Sequence, residues 1–401
     1  MTTTTKPAMP RKKEKGGLAR LWLLLHGWLA LPIWAFVFLV CVTGTLATVS
    51  HEIIWAINSD VRALRPEGVT GERIGAGQLV AAVQDQRPGA QVTGLFWPAE
   101  SHFAPTVSVT DPQGVESTYY VNPYDGHIQG EAATVTLSTF LRALHGWMFL
   151  PWTSGYSWGW YAVSFVGIPM MGSLITGILV YKKFWRAYLN PRLRFGKGAR
   201  IFWGDFHRLA GIWSIPFIAI ISVTSIWFLI QAVLSDVGVT LSTAGAPQVL
   251  GRDDVPQVSR QSDLPPVRLD EVLARVETEQ PGIRVRSIGM PSHAFDPVHA
   301  WGNAAGFPLI WGNVALSPYD YSVITSRSLG DKSAAELVTE SMRPLHTGDF
   351  MGLGLKIVYF IFGVLLSMMV LSGMLIWTRR TVRSTREFIR PTPNPVMEPA
   401  E

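Results

Sequence analysis

The sequence has one cysteine and few charged residues. Cys41 is the single cysteine among 401 residues, so a disulfide within one chain is excluded, as are zinc and iron–sulfur sites that need several cysteine ligands. Charged residues make up 16% of the chain and apolar residues 48%. With a mean hydropathy of +0.22, the chain is too apolar for an ordinary soluble protein and too mild to be embedded throughout. We therefore expect a chain divided between bilayer and water.

Motifs of nucleotide chemistry are also absent. The chain has no Gly-x-x-x-x-Gly-Lys-Ser/Thr loop and no Gly-x-Gly-x-x-Gly segment, so nicotinamide, flavin or nucleotide binding has no support. No nucleic-acid partner is expected. The apolar runs contain no acidic residue, which argues against proton-coupled transport, because carboxylates within the membrane mark such paths.

Four apolar runs occur where charges are sparse. They cover residues 21–49, 158–181, 212–233 and 353–377, and each is long enough as a helix to cross a hydrocarbon core of about 30 Å. The first run is too long for the core of a signal peptide, so it predicts a retained helix. The predicted fold class is an α-helical membrane protein with four transmembrane helices in a lipid bilayer.

Basic residues determine the predicted orientation. Lys and Arg are concentrated in the amino-terminal arm, in the connector between the second and third runs, and in the tail. Short basic segments stay in the cytoplasm, so the two long segments are placed on the other face, which is the periplasm for a bacterial inner membrane. The predicted plan is a basic arm (1–20), span one (21–50), a first module (51–150), span two (151–182), a basic connector (183–206), span three (207–233), a second module (234–350), span four (351–378) and a cytoplasmic tail (379–401).

Each long segment has the length of a small domain and the pattern of a helix followed by strands. The first predicts a helix over 77–86, strands over 90–97, 106–110 and 118–121, and a turn at 122–126. The second predicts a helix over 269–279, strands over 284–288 and 311–316, and a turn at 317–320. Both turns contain Pro-Tyr-Asp, and proline and aspartate are typical of turns. We therefore predict two periplasmic α+β modules.

The same order of features occurs twice along the chain. A shift of 181 residues superposes Val42-Thr43-Gly44 on Val223-Thr224-Ser225, and a shift of 196 superposes Thr176-Gly177 on Ser372-Gly373. A drifting offset is what duplication followed by small insertions leaves behind. Because each half crosses the membrane twice, the halves are predicted to be parallel repeats.

Four histidines occupy matched positions in the two halves. His26 and His207, the first pair, lie at the cytoplasmic ends of spans one and three, whereas His145 and His346, the second pair, lie at the periplasmic ends of spans two and four. Ionisable residues at membrane depth are costly and are read as functional, and imidazole is a common axial ligand of haem iron. Each pair is therefore predicted to ligate one haem b, which gives two haems per chain. Anchoring at the membrane interface is the alternative.

His51 is a fifth candidate for cofactor binding. It lies at the periplasmic end of span one, and its matching position in the other half is Ala232. It could replace one histidine of the second pair or line an approach to that haem, and a solvent-facing histidine at a helix end is the other interpretation. Asp205 and Asp349 each lie beside a candidate ligand, where a carboxylate could orient the ring or cap a helix.

The short motifs around these histidines resemble those of a known family. They are Leu25-His26-Gly27-Trp28, Val42-Thr43-Gly44-Thr45, the turn at 122–126, Leu144-His145, Asp205-Phe206-His207-Arg208-Leu209-Ala210-Gly211, Leu345-His346-Thr347-Gly348 and Ser372-Gly373-Met374-Leu375-Ile376-Trp377. From about residue 20 to 380 the chain is similar to the PepSY-associated transmembrane proteins, often described as iron-regulated inner-membrane proteins. Tyr321 departs from the pattern, since the first module has Gly126 at that turn position. The resemblance implies PepSY-like modules and the same four histidines as haem ligands.

The resemblance also implies an activity, that of a ferric-siderophore reductase. Electrons would pass from an unknown cytoplasmic or membrane donor through a cytoplasmic-side haem to a periplasmic-side haem, and then to a ferric siderophore in the periplasm. Hydroxamate or catecholate oxygens hold Fe(II) less tightly than Fe(III), so reduction would release the iron. Two other functions stay open, a non-redox membrane scaffold that contacts a periplasmic partner and a ferric-siderophore permease.

Overall fold

The computed structural model describes residues 17–181, 184–241, 248–256, 264 and 267–389. Most of the predicted basic arm (1–16), the end of the tail (390–401), and Lys182 and Lys183 of the connector lie outside the described residues. The chain folds as two compact units. The first unit comprises Met1–Val42, Phe165–Val223 and Phe362–Glu401, and the second comprises Thr43–Ser164 and Thr224–Ile361.

Four helical stretches of the described chain are long and apolar enough to cross a membrane. They are Leu18–Thr48, Trp158–Val180, Ile215–Asp236 and Gly352–Leu375, and each overlaps one of the four predicted apolar runs. The helices are, in chain order, α1 (Gly17–Ala30), α2 (Trp34–Thr48), α3 (Ser50–Ile57), α4 (Ala76–Gln86), α5 (Leu137–Trp147), α6 (Trp158–Phe165), α7 (Gly167–Val180), α8 (Phe184–Leu189), α9 (Ala199–Trp213), α10 (Ile215–Asp236), α11 (Leu269–Glu279), α12 (Ala334–Thr347) and α13 (Gly352–Ile389).

Proline accounts for two breaks between these helices. Pro32 lies in the short 3-10 segment Leu31–Ile33 that separates α1 from α2, and Pro216 follows the break at Ser214 that separates α9 from α10. Proline lacks an N–H and disfavours helical conformation in the residue before it. His207 consequently lies in α9, a helix that ends before the third span begins.

Eight strands form one antiparallel sheet. They are β1 (Gln91–Phe96), β2 (Thr106–Thr110), β3 (Glu116–Val121), β4 (Ile128–Glu131), β5 (Arg284–Gly289), β6 (Val298–Ala304), β7 (Phe307–Leu316) and β8 (Val323–Arg327). Their order across the sheet is β4-β3-β2-β1-β5-β6-β7-β8. Strands β1 and β5 join the two halves, where Leu95 pairs with Ile288. The two predicted modules therefore share a single sheet.

Helices α4 and α11 pack on this sheet through apolar side chains. Leu79 and Val83 of α4 and Val272 and Val276 of α11 are fully buried in one core with inward-facing strand residues. The spacing of three or four residues places each pair on one helix face. The helix predicted over 269–279 is confirmed, and the one predicted over 77–86 begins one residue earlier.

The turns after β3 and β7 have the same backbone conformation despite their different sequences. Gly126 has φ of 74° and Tyr321 has φ of 57°, and each N–H donates to the carbonyl four residues earlier. Glycine adopts this left-handed region without cost, whereas tyrosine does not. The Tyr321 hydroxyl accepts a hydrogen bond from the Arg268 N–H at 2.9 Å, which holds the second turn in place.

The first unit has its own apolar core, built from spans. Val37, Cys41, Val166, Ile218 and Leu366 are buried together, one or two from each of the four spans. Side-chain packing of this kind holds helices together in lipid, where no hydrophobic effect drives their association.

Candidate functional site

The first histidine pair is brought together in the first unit. His26 lies on α1 and His207 on α9, and their ring centroids are 6.2 Å apart with an angle of 83° between ring planes. The sequence predicted this pairing from matched positions alone. The structure adds how each ring is held.

Each ring of the first pair is oriented through its Nδ1 atom. His26 Nδ1 lies 3.0 Å from the Ser173 carbonyl oxygen and 3.1 Å from Thr176 Oγ1, both on α7. His207 Nδ1 lies 3.0 Å from the Met369 carbonyl oxygen and 3.1 Å from Ser372 Oγ, both on α13. A carbonyl oxygen only accepts, so Nδ1 donates and the neutral ring keeps a lone pair on Nε2. This is the arrangement that fixes the tautomer of a metal-ligating histidine.

Small residues leave room for these rings. A Cβ atom on Gly177 would lie 3.4 Å from His26 Cε1, and one on Gly373 would lie 3.2 Å from His207 Cε1. Beside the rings is a cavity of about 280 Å³, near the lower end of the roughly 300–1,000 Å³ of small-molecule sites. Its lining is mainly apolar, with Leu174 and Val370 among the side chains that form it.

The second pair is brought together in the second unit. His145 lies on α5 and His346 on α12, two helices that precede spans two and four in the chain. Their ring centroids are 6.1 Å apart with an angle of 35° between ring planes. The Phe228 ring lies 5.3 Å from the His346 ring. Both histidines therefore lie outside the spans. The sequence placed them at the periplasmic ends of spans two and four, whereas each lies on the separate helix that precedes its span.

Threonine hydroxyls contact the Nδ1 atoms of the second pair. Thr224 Oγ1 lies 2.8 Å from His346 Nδ1, and Thr43 Oγ1 lies 3.4 Å from His145 Nδ1. A Cβ atom on Gly44 would lie only 2.7 Å from His145 Cε1, so this glycine is required for the ring to fit. Desolvation and the neighbouring His145 ring lower the pKa of His346 to about 3, which keeps the ring neutral at physiological pH.

His51 has a separate set of contacts. It lies on α3, and its Nε2 is 3.2 Å from Ser138 Oγ. Ser138 also accepts a hydrogen bond from Ser50 Oγ at 3.0 Å. The structure brings the other four candidate histidines together in two pairs, whereas His51 contacts a serine. The predicted role of His51 in haem binding stays a prediction.

The donor set fits haem better than a metal site made of protein ligands alone. Within the described residues no three His, Cys, Asp or Glu side chains converge on one point. The ring centroids of the two pairs are 6.2 Å and 6.1 Å apart, so each pair would supply two imidazoles to one haem iron. The first pair also borders an apolar cavity, which suits a porphyrin.

The two aspartates beside candidate ligands serve other partners. Asp205 is buried and forms ion pairs with Arg194 at 2.8 Å and with Arg208. The hydrogen bond from Arg194 holds the pKa of Asp205 well below its usual range, against the opposing effect of burial. Asp349 accepts a hydrogen bond from Thr347 Oγ1 at 2.7 Å. Hydroxyl and carbonyl groups, rather than these carboxylates, contact the Nδ1 atoms.

The sequence interpretation missed a buried ion-pair cluster in the second unit. Lys356, near the start of span four, has a side chain only 7% exposed, and its Nζ lies 2.9 Å from Glu52 Oε1 and 2.8 Å from Glu100 Oε1. Burial alone would raise the pKa of Glu100, but the contact with Lys356 outweighs it and the pKa falls below its usual value. A charge at this depth is stable only when paired.

A Gly-x-Ser-x-Gly spacing at residues 155–159 was also overlooked. A nucleophile elbow needs an exposed serine on a strand-to-helix turn. Ser157 is instead buried, follows an irregular segment, and donates its hydroxyl to the Leu150 carbonyl oxygen at 3.1 Å. It therefore has a structural role at the start of α6.

Comparison with known proteins agrees with this architecture. A family model described as PepSY-associated TM region matches residues 23–380. The uncharacterized protein PA4219 of Pseudomonas aeruginosa is 24% identical over 243 residues, which cover 54% of this chain. The chain spans 58% of the length of that relative, whose description names no activity.

Proposed function

Because this chain belongs to the PepSY-associated transmembrane family, we propose that it is a di-haem b membrane protein that delivers electrons to a ferric siderophore. One observation carries this proposal. Two pairs of histidines, on different helices, each have ring centroids about 6 Å apart and Nδ1 atoms in contact with hydroxyl or carbonyl oxygens. A chance cluster of interfacial histidines has no reason to repeat both features.

Each haem would be held by one pair of histidines. His26 and His207 would hold one haem, and His145 and His346 the other, with Nε2 as the ligating atom in the first pair. Bound haem supplies a one-electron couple whose potential depends on its ligands and their surroundings. Thr176 and Ser372 fix the ring orientation in the first pair, and the apolar lining excludes water from it.

The proposed placement is the bacterial inner membrane, with both termini in the cytoplasm and the sheet in the periplasm. The distribution of Lys and Arg supports the orientation, and the family match supports a membrane protein. The first pair would then receive electrons from a cytoplasmic or membrane donor. The second pair, which belongs to the same unit as the sheet, would deliver them to the ferric complex. One electron converts Fe(III) to Fe(II), whose weaker binding to hard oxygen ligands frees the metal.

An internal duplication is part of the proposal. The sheet order is symmetric about the β1–β5 junction, and Thr176 and Ser372 occupy matched positions and make the same contact. Thr43 and Thr224 form a second matched set. Parallel repeats would give each cofactor site one histidine and one hydroxyl contact from each half of the chain.

A purified full-length chain tests the proposal in two steps. We expect a reducible b-type absorption spectrum with two haems per chain, and anaerobic mixing of the reduced protein with ferric hydroxamate should oxidise the haem and yield Fe(II), trapped by a ferrous chelator. The H145A/H346A variant should keep one haem and lose rapid Fe(II) formation. A colourless protein that folds normally would instead support the non-redox scaffold.

A further inference from the structure

Each histidine of the second pair follows an arginine by three residues on the same helix. Arg142 precedes His145 on α5, and Arg343 precedes His346 on α12. Residues three apart on a helix are neighbours on one face, about 5–6 Å apart at their Cβ atoms. Because the two imidazole rings lie 6.1 Å apart, the two arginines flank the same site. The first pair has no such arginines, since Leu23 and Gly204 occupy the corresponding positions.

Both arginines are exposed. Among the described residues neither forms an ion pair, whereas Arg194 and Arg208 share Asp205. Desolvation, and then repulsion from Arg343, lower the pKa of Arg142, and Asp349 offsets this only in part. Like charges held close together cost free energy unless an anion lies between them.

We propose that Arg142 and Arg343 form a carboxylate-binding pair beside the second histidine pair. Guanidinium is the side-chain group best matched to carboxylate, through two parallel N–H···O bonds. Two sources of carboxylate fit the position. One is the pair of propionates on a haem held by His145 and His346, in which case the inference rests on the proposed function. The other is an anionic ferric chelate such as ferric citrate.

The first arm of the test changes both the haem propionates and the two arginines. Full-length apoprotein is reconstituted with haem b or with its dimethyl ester. The proteins compared are wild type, R142Q/R343Q and the control R284Q, which removes an exposed arginine on β5. If propionates are the ligand, R142Q/R343Q weakens binding of one of the two haems about tenfold. Esterification weakens wild type by a similar factor and has no further effect on R142Q/R343Q, because the two changes remove the same interaction.

The second arm measures affinity of the holoprotein for ferric citrate and for uncharged ferric hydroxamate. If the chelate is the ligand, R142Q/R343Q weakens ferric citrate binding about tenfold, leaves the hydroxamate unaffected, and keeps haem affinity unchanged. R142K/R343K, which retains both charges, should keep part of the affinity and guards against misfolding of the double glutamine variant. The inference is overturned if R142Q/R343Q behaves as wild type in both arms, or if R284Q shows equal losses. A wild type that binds no haem would end the proposed function, while the citrate arm would still decide the role of the arginines.

Discussion

The first and second histidine pairs share their ring separation but differ in their surroundings. In the first pair each Nδ1 contacts a carbonyl and a hydroxyl oxygen, and the rings border an apolar cavity. In the second pair each Nδ1 contacts a threonine hydroxyl, and an arginine precedes each histidine by three residues. The first pair therefore has apolar surroundings, whereas the second pair has charged residues close to it on the same helices.

The largest expected effect comes from filling the space beside a ring. G44L should abolish haem binding at the second pair, because its Cβ atom alone would lie 2.7 Å from His145 Cε1, and G373L should do the same at the first pair. G354L and G204L are the controls, since a Cβ atom there meets nothing within 4 Å. Absorption spectra should show one haem remaining in each of the first two variants. Loss of both haems from either one would contradict the independence of the two sites.

The next effect tests whether the second unit depends on buried charge. K356M should lower the free energy of unfolding by about 3 kcal/mol, because Glu52 and Glu100 would remain buried without their cation. Thermal unfolding in detergent measures the loss. The triple variant K356M/E52Q/E100Q should recover part of it. Equal stability of K356M and wild type would show that these charges are reached by water.

A smaller effect compares the hydroxyl contacts of the two pairs. T224V should weaken haem binding at the second pair about tenfold, because this hydroxyl is 2.8 Å from His346 Nδ1. S372A should have less effect, since the Met369 carbonyl oxygen still contacts His207 Nδ1 at 3.0 Å. Haem transfer rates to a soluble acceptor protein measure both. The reverse order would mean that the hydroxyl contacts do not set ring orientation.

The smallest expected effect is a pH dependence near the first pair. The folded-state pKa of Asp205 is lowered by Arg194, so the stability it contributes is complete above the unfolded pKa of about 3.9. This contribution is lost as pH falls further, toward the folded pKa. Because Arg194 is largely exposed, solvent screening keeps the effect small. The melting temperature of D205N should therefore fall less steeply than that of wild type between pH 5 and pH 3. Parallel curves would show that the Asp205 carboxylate does not contribute to this pH dependence.

Much of the fold was predictable because its signals are local. The four spans follow from long apolar runs, and α11 follows from the spacing of Val272 and Val276. The strands β4, β6 and β8 were not predicted. In β6 the buried positions include Ala300 and Gly302, which give little apolar alternation. Pairing of β1 with β5 joins residues far apart in the chain, and no sequence pattern reports such a contact.

The histidine pairs were predictable from matched positions, but the contacts that hold them were not identified. The phrases Thr176-Gly177 and Ser372-Gly373 were recognised only as parts of a repeat. The structure shows in addition that their hydroxyls and glycines border the histidine rings. The matched Arg-x-Leu-His phrases at 142–145 and 343–346 were a further available signal. Lys356 could not be assigned a partner, because Glu52 and Glu100 approach it only in the folded chain.

Haem content per chain tests the central claim most directly. Wild type, H26A/H207A and H145A/H346A are purified in parallel, and the haem b extracted from each is divided by the amount of folded protein. The account predicts two haems for wild type and one for each double variant. Unchanged haem content in both double variants, or no haem in a folded wild type, would contradict it.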